Sequence, residues 1–125
     1  MKSKIVFLSL IAVLSLMTLV GWAHDPVKLS GYLVDTVCAT DHIKDSAEAA
    51  TKFAAEHSKE CGLMEECVKG GYGIFSDGKW YPFDGKGNQL AKGIFDKTQK
   101  KDHIKVTVEG MKHDGKILVQ KITEE

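Results

Sequence analysis

From residue 27 onward the chain shows two distinct hydrophobic periods. Over 27–38, Leu29, Leu33 and Val37 supply apolar side chains to one side, and Tyr32 and Val34 supply them to the other. Apolar residues on both faces predict a central strand rather than a half-exposed one. Gly31 within it suggests a bulge or sharp bend. Asp45 and Glu48 stand in the relation of a capping box, and Ala50, Phe53, Ala54, His57 and Cys61 follow at helical spacing. That stripe predicts a helix over 46–61, stopped by Gly62. A second short helical piece is expected over 63–68, before Gly70-Gly71.

The remaining half is strand-rich. Segments 72–76 and 79–83 flank Asp77-Gly78, a strong hairpin signal. Residues 84–88 read as a loop, and 89–98 as a short helix with Leu90, Ile94 and Phe95 inward. Over 103–110, Ile104, Val106 and Val108 alternate with polar positions, and Asp114-Gly115 leads to a last strand over 116–122. Five short strands, a helical insert after the first and a helix between the third and fourth predict a mainly β, α+β domain, a small five-stranded OB-like barrel. An unrelated small α+β sandwich is the competing architecture.

The first 23 residues carry a different pattern. Lys2 and Lys4 precede an apolar run over 5–20, and Gly21-Trp22-Ala23 places small residues at the −3 and −1 positions of a cleavage site. The run is shorter than the roughly 20 residues that span a bilayer. The expectation is a signal peptide over 1–23, a single domain over 24–125, and a periplasmic or secreted protein with no membrane span after cleavage. An uncleaved anchor is the alternative.

Charge narrows the function classes. All 17 basic residues are lysine, and two of them leave with the signal, so 15 Lys face 17 Asp plus Glu in the mature chain. A slightly acidic chain without arginine has no electrostatic footprint for nucleic acid. Tyr72, Phe75, Trp80, Tyr81 and Phe83 are dense, but with no basic groove beside them they are expected in the core of a hairpin. No nucleophile elbow, zincin helix or phosphate-cradling glycine loop is present, so no catalytic residue is assigned.

The chemistry-bearing residues gather in the insert: Cys38, His42, His57, Cys61 and Cys67. In a helix, His57 and Cys61 share a face one turn apart, as two ligands of one metal would. Gly62 would let Cys67 fold back toward Cys61, and Cys38 would join from the end of the first strand. Thiolate and imidazole donors point to zinc or copper, with His42 as a substitute ligand. The competing reading is one disulfide and a leftover thiol, as expected in an oxidising compartment. Cys61 to Cys67 is not a C-x-x-C redox motif. His24, the first residue after cleavage, offers an amine and an imidazole to copper, against the plainer reading of a frayed end. His103 and His113 read as surface residues.

Cys38, His57-x-x-x-Cys61, Cys67, Gly70-Gly71-Tyr72-Gly73, Asp77-Gly78-Lys79-Trp80-Tyr81-x-Phe83-Asp84 and the 102–110 strand together resemble a group of small exported bacterial proteins. The resemblance runs from Gly31 to Ile122. It implies export and one β-rich domain, and it implies no catalytic residue. The functional expectation is an exported binding module with a Cys/His metal site. The alternatives are a disulfide-stapled domain that binds an envelope protein or small ligand, and a thiol-redox protein.

Overall fold

The computed structural model describes residues 25–125. The expected signal peptide and the copper role of His24 lie outside the described residues. In chain order the elements are β1 (Asp25–Asp35), α1 (Thr36–Thr40), α2 (Ala47–Glu56), α3 (Lys59–Gly62), α4 (Glu65–Gly70), β2 (Tyr72–Ser76), β3 (Lys79–Pro82), α5 (Gly85–Lys97), β4 (Lys105–His113) and β5 (Lys116–Glu124). The strands form one antiparallel sheet in the order β3-β2-β1-β4-β5.

β1 is the middle strand, and its two apolar faces feed two separate cores. Leu33 joins Tyr72, Ile74, Phe83, Phe95, Ile104, Val106, Val108, Ile117 and Val119 on one side, where α5 packs. Val34 joins Ala39, Ala50, Ala54 and Phe75 on the other, under α1 and α2. The dense aromatics belong to these cores: Tyr72, Phe75 and Phe83 are buried, and Trp80 leans on Phe75 at 5.0 Å between ring centroids. Gly31 is a point of close approach, since a Cβ there would meet the Phe75 carbonyl oxygen at 2.0 Å.

The small α+β class holds, with the helical insert and the later helix where they were expected, but the sheet does not close into a barrel. Its edge strands meet at a single isolated bridge, Phe83 to Ile117. The reason lies in β3. It is four residues long and ends at Pro82, which has no N–H to offer a neighbouring strand. Asp84 then turns the chain into α5, capping the Gly87 N–H at 2.9 Å and also accepting from the Val119 N–H at 3.2 Å. α5 therefore begins at Gly85, four residues ahead of the predicted start at 89, because the cap chemistry of Asp84 outweighs the glycines that follow.

The insert departs further from expectation. The first strand stops at Asp35 rather than Cys38, because the Asp35 side chain caps α1 through the Cys38 N–H at 2.8 Å. Ser46, not Asp45, caps α2. The helix predicted over 46–61 breaks at His57, whose backbone is extended, and Ser58 caps a new four-residue helix through the Cys61 N–H at 3.0 Å. A serine able to bond its own neighbourhood ended a stripe that periodicity alone would have continued.

Candidate metal centre

Three elements bring polar side chains to one point beside β1. Asp35 ends β1, Cys38 lies on α1, and Cys67 lies on α4. Their ligand atoms, a carboxylate oxygen and two sulfurs, all lie within 4.8 Å of one another. Asp35 and Cys67 are buried and Cys38 is half-buried.

Local sequence explains the convergence. As N-cap of α1, Asp35 is held one turn below Cys38, so these two are neighbours by helix geometry. Cys67 arrives because α4 packs tightly on α1. A Cβ on Gly70 would meet the Val37 side chain at 2.8 Å, so a larger residue there would force Val37 to shift. Gly71 then turns the chain into β2 with φ +82, and the Asn88 side chain accepts from the Tyr72 N–H at 2.8 Å to fix that exit.

His57 completes the setting from behind. Its Nε2 lies 2.5 Å from Asp35 Oδ2, with the two side chains 2% and 0% exposed. Phe53 and Phe95 meet its ring edge to face. Its Nδ1 is buried without a hydrogen-bond partner among the described residues. The Nε2–H donating to the carboxylate is the arrangement that leaves Asp35 ionised, and both of its oxygens are then oriented, one by His57 and one by the Cys38 N–H.

The electrostatics follow. Burial opposes ionisation of Asp35, but the His57 hydrogen bond and the Cys38 N–H together hold its carboxyl below the usual range. The thiols move the other way. Burial first, then the Asp35 charge, pushes Cys38 up to about 12 and Cys67 up to about 11. At neutral pH this is a buried carboxylate facing two protonated thiols, each within its hydrogen-bonding reach.

The expected ligand set is therefore only partly assembled. Cys38 and Cys67 meet. His57 reaches the cluster through Asp35, and the helix break removes the shared face it was expected to have with Cys61. Cys61 lies outside the three-residue group, on α3. His42 is elsewhere: its Nδ1 bonds Asp45 Oδ2 at 2.7 Å, and its ring stacks on Phe53 at 3.6 Å. His103 pairs with Asp102 and His113 with Asp114, both partly exposed. All three cysteines are free thiols.

Asp35 was missed by the sequence reading. The signal was present: a carboxylate closing an apolar strand three residues before a cysteine is an N-cap pattern, and a cap residue sits beside the side chain at its i+3 position.

No known protein family, curated protein or solved structure matches the chain. The site's own chemistry has to carry the functional reading. Asp35, Cys38 and Cys67 can hold a metal ion.

Proposed function

We propose that the protein is an exported binding module that holds a thiophilic transition-metal ion through Asp35, Cys38 and Cys67, zinc before copper. The observation that carries the reading is the gathering of three donors from three separate elements within 4.8 Å. Two sulfurs on a tetrahedral zinc with bonds of about 2.3 Å stand roughly 3.8 Å apart. Closing from 4.8 Å or less to that spacing is a side-chain adjustment.

The charge balance favours the same reading. A divalent cation replaces two thiol protons and meets a carboxylate already ionised, which removes the conflict that pushes both thiols upward. A hard carboxylate beside two soft thiolates suits borderline zinc better than monovalent copper. A tetrahedral ion needs a fourth donor, and Cys61 is the candidate, half-buried on α3, the helix just before α4. His57 acts behind Asp35, fixing which lone pairs face the ion, as outer partners of metal ligands commonly do.

Thiols pushed up to about 12 and 11 are protonated at neutral pH, which is a poor state for a turnover nucleophile and a normal one for an empty thiolate site. The reading places the protein in the cell envelope as a metal carrier or metal-stabilised module rather than as a thiol enzyme.

The test is zinc binding by the reduced 24–125 protein, measured by competition with a chelator of known affinity. Cys67→Ser should weaken binding at least 100-fold and His57→Ala by roughly 10–100-fold, the usual cost of removing an outer partner. Zinc affinity that is unchanged by Cys67→Ser, or absent in the folded reduced protein, would remove the proposal.

A further inference from the structure

We infer that Cys38 and Cys67 are a redox pair whose closure to a disulfide excludes the metal, so that the site alternates between a reduced metal-holding state and an oxidised empty one. The inference rests on the metal reading above and adds its regulation. Three observations carry it. The two sulfurs lie within 4.8 Å, on helices that approach each other at Val37 and Gly70. Both are free thiols. They differ in access, since Cys38 is half-buried whereas Cys67 is buried.

That difference orders the steps. The oxidant is a disulfide, of a small thiol or of a partner protein. The Cys38 thiol gives up its proton and attacks as the thiolate, slowly because that form is scarce at neutral pH, forming a mixed disulfide and expelling one thiolate that takes up the proton. Cys67, shielded from solvent and beside Cys38, then attacks the Cys38 sulfur and expels the second thiolate. Two protein thiols lose two electrons and two protons, and the external disulfide gains them as two thiols. The product sulfurs stand about 2.05 Å apart, so they have left the roughly 3.8 Å spacing of a tetrahedral ion. Neither sulfur of a disulfide is a thiolate ligand, and Asp35 with Cys61 leaves two donors at most, too few to hold the ion tightly. The exchange is reversible by excess thiol, and bound metal should protect the pair by occupying both sulfurs.

Cys61 is the control within the molecule. It is a free thiol, half-buried on α3 and outside the three-atom group, so it should not be the preferred partner of either cysteine.

The experiment uses the 24–125 protein and its Cys61→Ser variant, equilibrated with reduced and oxidised glutathione and mapped by peptide mass spectrometry. The expected result is a Cys38–Cys67 disulfide in both proteins, and in the wild type a zinc affinity that falls at least 100-fold on oxidation and returns on reduction. Zinc added first should slow formation of the disulfide. Closing the loop between residues 38 and 67 should also raise the folding equilibrium constant by roughly 10²–10³-fold, read from denaturant midpoints. A Cys38–Cys61 or Cys61–Cys67 bond in the wild type, or no bond under oxidising buffer, would overturn the switch and leave the metal reading standing. Formation of the expected disulfide in a protein whose reduced form binds no zinc would overturn the metal reading and the switch with it.

Discussion

The strand half and the helical insert are held together by different forces. β4 and β5 pair along nearly their full length, and the core beneath them is aliphatic and aromatic, with Ile104, Val106, Val108, Ile117 and Phe95 fully buried. α5 closes that half as one helix of 13 residues. The insert has four helices of 5, 10, 4 and 6 residues, each too short to be stable alone. Its own apolar core is small, built on Val34, Phe75 and three alanines. What fixes it is polar: side-chain caps from Asp35, Ser46 and Ser58, and the buried Asp35–His57 pair. One half is stabilised by area removed from water, and the other by a few directed bonds that also build the candidate site. Stability and chemistry are therefore separable in the strand half and inseparable in the insert.

The largest break in that comparison is Asp35→Ala. It removes the cap of α1, worth about 1 kcal/mol, and leaves the buried His57 N–H unsatisfied in an apolar cage, at about 1–3 kcal/mol more. Chemical denaturation should show that loss together with loss of zinc binding. Asp35→Asn keeps the cap and removes the charge, so it should retain more stability than Asp35→Ala while still losing affinity.

A pH series sharpens the same contrast. Asp35 titrates lower in the fold than when unfolded, so its contribution is present above the ordinary carboxylate value and is lost as pH falls through the lowered one. The thiols have the opposite sign. Their folded values, about 12 for Cys38 and about 11 for Cys67, exceed the ordinary 9.0, so the unfolded chain loses its thiol protons first and metal-free stability falls between about 9 and about 12. Tyr72, pushed up to about 12 by burial and the Asp35 charge, adds to the alkaline loss. Zinc affinity should rise with pH across the neutral range, by at most roughly tenfold per pH unit for each thiol proton displaced.

Smaller effects separate the two halves. Ser58→Ala should cost about 1 kcal/mol through the lost cap of α3. It should weaken zinc binding if Cys61 is the fourth donor. Ile117→Val should cost a similar amount, about 1 kcal/mol, by opening a small void in the strand-half core, and should leave zinc affinity unchanged.

Legibility in the sequence followed the same division. The strand half could be read because alternation over 103–110 and 116–122 directly reflects burial, and because Asp77-Gly78 and Asp114-Gly115 take the positive φ values such turns require. Both predicted hairpins are present. Closure into a barrel was not legible, because it depends on where Pro82 stops β3. In the insert, Cys38 and Cys67 were expected to converge together with His57 and Cys61, but periodicity carried the helix through Ser58 and so set His57 beside Cys61. Caps act through one hydrogen bond at one residue and leave no mark on a hydrophobic stripe. Asp35 was legible as a cap, with Cys38 three residues on, but its bond to His57 and its place beside Cys67 depend on partners distant in sequence.

The most direct test of the account is the metal content of the chain itself. Protein isolated from its native host under thiol-protecting conditions should carry zinc equimolar with the chain. Replacing that zinc with cobalt should give the sulfur-to-metal charge-transfer absorption of thiolate coordination, and the Cys38→Ser, Cys67→Ser double variant should show neither. A folded, fully reduced protein that carries no metal and shows no such absorption with added cobalt would contradict the account.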